Sequence, residues 1–191
     1  VLTPVVDYAF TRPEIDGERI ALFGRSFAGY LSPRGAATEH RIAALVCDPG
    51  QVDLGAKVVE RLPAAVLDMV RADDPAADSM LAPMLATPEA RRLWPPRMTA
   101  HGTTTMRGYL RELLTFNLGD RAANIRCPTL ITEADGDFAA GQSRLLFELL
   151  TCPKDYRHCT AGEGAQGHMA GLAQQLWNGF VFDWLDNVLG R

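Results

Sequence analysis

No apolar run in the 191-residue chain comes near the ~20 residues that a membrane-spanning helix needs; "IALF" and "IAALVC" are among the longest. An excess of positive charge is missing as well. The formal net charge is -4, with acids and bases interspersed, so no basic face offsets nucleic-acid phosphate or docks on an anionic membrane. Neither a nucleic acid nor a membrane is therefore an expected partner. The opening "VLTPVVDYAF" lacks a charged start, an apolar centre and a small-residue cleavage site, and does not read as a secretory signal. The four cysteines, Cys47, Cys127, Cys152 and Cys159, form no C-x-x-C pair and sit in or beside apolar segments, the pattern of small reduced thiols in a cytoplasmic chain. The histidines are scattered too, without the short ligand spacing of a structural zinc site, so neither metal nor cofactor is expected.

What is present is an alternation of helix and strand. "TPVVDYAFT" has helical spacing, and "RPEIDG" stops it with a proline and an Asp-Gly turn. "RIALFG" is a short apolar run of the kind found in a strand covered on both faces. Residues from Phe27 to His40 are helix-compatible, with Pro33 expected to bend the axis, and "RIAALVCD" is a second buried strand. From about Leu54 to Ala123 the pattern is helical only, broken by Pro63, Pro75, Pro83, Pro88, Pro95 and Pro96. The alternation resumes with "CPTLITEAD" as a strand, "GQSRLLFELL" as a helix, "DYRHCTAG" as a strand and "MAGLAQQLWNGFVFDWLDNVLG" as a long helix. This order predicts an α/β fold, a parallel sheet covered on both faces, in three parts: a first core segment over 1–53, a helical cap or lid over 54–123, and a last core segment over 124–191.

The chemistry concentrates at strand ends. In "GRSFAG" a serine stands where strand passes into helix, with Gly24, Ala28 and Gly29 small enough for the two to approach. The pattern is strictly G-x-S-x-A-G, and a serine there can equally serve as a helix cap. A serine hydroxyl is a poor nucleophile at neutral pH; it needs a general base, and the base needs a partner to hold its tautomer. His168, in the glycine-rich "AGEGAQGHMAG" after the last strand, is the candidate base. The acid lies in "TEADGDF": Asp137 occupies the usual place, counted from the strand start at Thr129, with Ala134 standing where a tight turn often has glycine. Asp135 is the alternative and Asp48 a more distant one, each otherwise readable as a turn aspartate. His158, inside a strand, reads as a packed side chain, and His101 at most lines a pocket.

With these residues placed, the chain resembles the α/β-hydrolase superfamily along its whole length. "RPEIDGERIALFGRSFAGYLSPRGAA", "IRCPTLITEADGDFAAGQ" and "LTCPKDYRHCTAGEGAQGHMA" resemble more narrowly the branch that includes 2,6-dihydropseudooxynicotine hydrolase and fungal polyketide-shortening hydrolases, often labelled dipeptidyl aminopeptidase-like. The resemblance implies Ser26 as nucleophile, Asp137 as acid, His168 as base and the backbone N–H of Phe27 as one oxyanion donor. It implies cleavage of an ester, an amide or a carbon–carbon bond beside a ketone; an inactive, binding-only module is the alternative. In that family several strands and a second oxyanion donor precede the serine strand, whereas here only "VLTPVVDYAFTRPEIDG" does. The expectation is thus a carboxyl-terminal portion of a longer protein with one sheet edge open. Leu93, Trp94, Met98 and Tyr109 of the helical segment are expected to favour a hydrophobic or aromatic carbonyl substrate, and a second copy of the chain is an admissible partner.

Overall fold

The computed structural model describes residues 2–171 and 173–190. Its elements run α1 (Leu2–Phe10), β1 (Ala21–Arg25), α2 (Ala28–Ala36), β2 (Ala44–Asp48), α3 (Leu54–Arg61), α4 (Ala64–Ala72), α5 (Ala77–Leu81), α6 (Pro88–Ala100), α7 (Met106–Leu113), β3 (Thr129–Ala134), α8 (Gln142–Leu149), β4 (Lys154–Cys159) and α9 (Gln174–Leu189), with short 3-10 turns between. They form two compact units: residues up to Val52 together with those from Leu118 onward, and Asp53–Asn117.

The first unit is a four-stranded parallel sheet in the order β1-β2-β3-β4. Every residue of β2 is buried, as the continuous apolar run "ALVCD" requires of an inner strand covered on both faces. Ala44 and Val46 share one face with Leu130, and α9 lays Trp177, Val181 and Leu185 against it. Leu45 and Ile131 are fully buried on the other face, the consequence of the two-residue side-chain period. Among the described residues β1 pairs only with β2, so its outer edge is open and Phe23 is 37% exposed there.

Because the strands are parallel and in near register, Gly24 beside Cys47, Cys47 beside Ile131 and Ala134 beside Cys159, their carboxyl ends meet at a single rim. Loops leaving that rim can converge, and in open parallel sheets ligands bind at that side.

The second unit has its own core of Val58, Val66, Leu67, Val70, Ala77, Leu81, Met98, Met106, Tyr109 and Leu110. Asp53, Thr87 and Thr105 cap α3, α6 and α7 by accepting from Ala56, Ala90 and Gly108 N–H groups at 2.9, 3.1 and 3.0 Å. Met98 and Tyr109 are core residues, Trp94 packs against that core, and Leu93 stays 44% exposed. Their stripe is explained by packing within the unit.

Several elements differ from those read in the sequence, and Asp53, read there as the end of the first core segment, belongs to the helical unit. Residues 118–123, assigned there to the helical insertion, belong to the sheet unit: Leu118 N–H bonds the Val52 carbonyl at 2.8 Å, and Leu118 and Ala122 are buried. Pro95 and Pro96 lie inside α6 and do not end it: proline's fixed φ is itself helical, and the helix carries the two missing donors and the ring's contact with the preceding turn. The helix after Ser26 stops at Ala36, short of His40. The carboxyl-terminal helix starts at Gln174, because Met169 and Ala170 take left-handed backbone angles; Leu172 lies outside the described residues.

Gly29 is held by a close approach. A Cβ there would lie 1.9 Å from the Pro49 carbonyl oxygen, which only a backbone shift could relieve. Gly29→Ala is expected to lower stability by about 1–3 kcal/mol, the range for overpacking a tight site. A urea midpoint equal to that of the parent chain would contradict this.

Candidate active site

Ser26 follows the last residue of β1 and has φ 56°, a left-handed conformation uncommon for a residue with a side chain. Neighbours enforce it. Its N–H donates to the Asp48 carbonyl at 2.8 Å, and its own carbonyl accepts from Gly29 N–H at 2.8 Å and from the Gln51 side-chain amide at 2.6 Å. Gly24 permits the sharp turn, since a Cβ there would sit 2.2 Å from the Ala28 carbonyl oxygen. The two glycines flank the contacts where strand and helix nearly touch, and Ala28 is accommodated between them. Such strained turns cost of order 1–3 kcal/mol and cluster at functional positions.

His168 Nε2 lies 2.8 Å from Ser26 Oγ. Its Nδ1 lies 3.1 and 3.0 Å from the two carboxylate oxygens of Asp137. With the proton on Nδ1, the ring donates to Asp137 and accepts from the serine hydroxyl. Asp137 is buried, and its carboxylate also accepts from the N–H groups of Ala139 and Met169 at 2.9 and 3.2 Å. The Phe138 ring packs over the imidazole with centroids 4.3 Å apart and covers one of its faces.

Asp135 does not reach His168. Its carboxylate accepts from Ala161 N–H at 2.8 Å and pairs with His158 Nε2 at 2.8 Å. These two contacts, the backbone one first, hold its carboxyl below the usual range. Asp135 still follows the pleat of β3, with its N–H on the Cys159 carbonyl, so its side chain turns toward β4. Asp137 comes after Gly136, whose φ of 72° reverses the chain; this, and not Ala134 in the strand, is the tight-turn residue. His158 is exposed, not packed: it lies on the edge strand β4 and bonds Asp135. His101 caps α6 in the second unit and meets Tyr109 and Phe116 edge to face.

Asp48, at the end of β2, is buried and bonds other partners. It accepts from Thr132 Oγ1 at 2.6 Å and from Arg25 Nε at 3.1 Å; burial pushes its carboxyl up, and those two partners oppose the shift. Burial also raises the thiols of Cys47, Cys127 and Cys159, the last two to about 11, and keeps them protonated near neutral pH. Among the described residues no group of three or more His, Cys, Asp or Glu side chains is arranged to hold a metal ion, and no helix is long and apolar enough to cross a membrane. Gln51 and Arg25 were not legible as site residues. The one weak signal for Gln51 is its place in the turn "DPGQ" beyond β2, at the rim where Ser26 sits.

A parallel sheet with a strained serine turn after one strand, and acid and histidine loops after two others, is an α/β-hydrolase fold. The chain has 28% identity, over 98% of its length, to 20-hydroxy-prefusarin hydrolase FUS2 of Gibberella moniliformis, of which it covers 48%. Among solved structures it superposes on the α/β hydrolase GrgF from Penicillium sp. sh18 with a TM-score of 0.67 at 18% identity, covering 100% of this chain and 71% of that one. On 2,6-dihydroxy-pseudo-oxynicotine hydrolase it superposes with a TM-score of 0.64 at 21% identity, covering 99% of this chain and 45% of that one. The chain spans about half the length of the curated relatives it matches. No protein-family model matches it.

Proposed function

We propose that the protein is a serine hydrolase acting on a small carbonyl compound, with Ser26 as nucleophile, His168 as general base and Asp137 as the acid that orients it. The observation that carries the reading is the unbroken run of hydrogen bonds from Ser26 Oγ through both nitrogens of His168 to a buried carboxylate.

In the reaction, His168 Nε2 takes the proton of Ser26 as Oγ bonds to the substrate carbonyl carbon. The charge gathered on the carbonyl oxygen is met by the backbone N–H of Phe27, at the residue after the nucleophile where α2 begins. The carbonyl reforms as the bond to the leaving group breaks, and that group leaves with the proton from His168. Water then gives a proton to His168 and adds to the acyl carbon; the acyl–Oγ bond breaks and Ser26 recovers its proton. An ester, an amide or a ketone whose leaving carbon is stabilised as an enolate fits the same sequence of steps. The hydrolase relatives and the exposed Phe138 beside His168 support a substrate with an apolar or aromatic part.

A fluorophosphonate probe tests the reading. Stoichiometric modification of the folded full-length protein, mapped by mass spectrometry to the peptide containing Ser26, is expected. A folded protein that stays unmodified would instead be a binding module that keeps the fold without the chemistry.

A further inference from the structure

Resting on the serine-hydrolase reading, the geometry points to Arg25 as a positioning residue whose guanidinium holds the backbone turn that presents His168 to Ser26. Arg25 stands immediately before the nucleophile, at the last position of β1, and its side chain is directed under the histidine loop. Its Nη2 donates to the Met169 carbonyl at 3.1 Å, Nη1 to the Gln174 side-chain oxygen at 2.7 Å and Nε to the Asp48 carboxylate at 3.1 Å. The plane of the group lies over the Trp177 ring, 4.6 Å from its centroid. Three acceptors on different segments and one aromatic face are engaged together, which a planar fork of donors can do and a point-like ammonium cannot.

The backbone that Arg25 holds is under strain. Met169 (φ 56°, ψ 47°) and Ala170 (φ 58°) are consecutive left-handed residues with side chains, a conformation that the Cβ disfavours sterically. Within "HMAG" the one bond that closes the turn is from Gly171 N–H to the His168 carbonyl at 3.1 Å, and contacts from outside the segment add to it. Met169 is gripped at both ends: its N–H donates to Asp137 and its carbonyl accepts from Arg25. A closed circuit results. Ser26 N–H bonds the Asp48 carbonyl, the Asp48 carboxylate bonds Arg25, and Arg25 bonds the Met169 carbonyl. Met169 N–H bonds Asp137, which also bonds His168, and His168 returns to Ser26 Oγ. The serine strand and the histidine loop are thus joined by a second route besides the reacting hydrogen bond. Loss of Arg25 frees the Met169 carbonyl, lets the turn relax toward ordinary angles and carries the adjacent imidazole away from the hydroxyl. Arg25 touches no reacting atom in this scheme, and a displacement of about 1 Å at such a base is enough to cost up to about 100-fold in rate.

The test is fluorophosphonate modification of the full-length protein, resolved into the inhibitor's dissociation constant and the first-order rate of bond formation. Arg25→Gln should slow bond formation about 10- to 100-fold while the dissociation constant moves less than about twofold. Arg25→Lys should fall between, and methylguanidinium should restore part of the rate in Arg25→Ala. Arg25→Gln strands the buried Asp48 carboxylate, so the double variant Arg25→Gln/Asp48→Asn is measured beside it, with melting temperatures for all. Parent-like rates of bond formation in either folded variant overturn the inference, as does a slower rate with no response to methylguanidinium. Absence of modification in the parent protein overturns the serine-hydrolase reading itself, and this inference with it.

Discussion

Ser26→Ala and His168→Ala are each expected to lower kcat/KM of the full-length protein toward a p-nitrophenyl ester by about 10⁶-fold, and the double variant by no more than either. In the proposed mechanism Ser26 and His168 act as a unit. Without the imidazole at 2.8 Å the hydroxyl keeps its proton, and without the hydroxyl the imidazole has nothing to activate. A p-nitrophenyl leaving group needs no proton, so the measurement isolates the attack step. Turnover in Ser26→Ala above about a tenth of the parent rate would refute the nucleophile assignment, given the magnitude such losses normally reach.

Asp137→Asn is expected to cost about 10⁴-fold in kcat, because an amide at that place can donate to His168 Nδ1 and so favour the tautomer that cannot take the serine proton. Asp135→Asn should change kcat by less than about tenfold, an effect of loop support alone. The contrast is sharp because the two carboxylates, two residues apart, serve different partners: Asp137 bonds His168, while Asp135 bonds His158 and Ala161. The backbone bond from Gly167 N–H to the Asp135 carbonyl, 2.7 Å, survives the substitution and keeps the histidine loop attached. Steady-state kinetics of both variants with one ester decides the matter; equal or reversed losses would overturn the choice of Asp137.

The legibility of this site follows the range of the interactions that build it. The serine turn is a local steric object. Gly24 and Gly29 are needed because the carbonyl oxygens of Ala28, four residues on from Gly24, and of Pro49, just past β2, come within about 2 Å of where a Cβ would stand, and close approaches of that kind leave a motif. The order of strands and helices is legible for the same reason, since side-chain periodicity reports burial residue by residue. The choice between Asp135 and Asp137 is different. Both stand in one loop, and which carboxylate turns to the histidine depends on where the β3 pleat ends and Gly136 reverses the chain.

Arg25 and Gln51 show the other side of that division. Neither stands at a motif position with a chemical role, and each acquires its role from a partner far along the chain: Met169 and Gln174 for Arg25, the Ser26 carbonyl for Gln51. The left-handed pair Met169–Ala170 was read as the first turn of a helix, and composition alone favours that reading, because both residues are good helix formers. From its sequence alone the chain is committed to a parallel α/β sheet with a serine at a strand end and a histidine in a glycine-rich loop, since packing periodicity and close approach are written residue by residue. Tertiary structure turned the favoured Asp137, and not Asp135, to that histidine and decided what holds the loop in place, because hydrogen-bond partners 31 to 149 residues apart are selected by the geometry of the assembled rim.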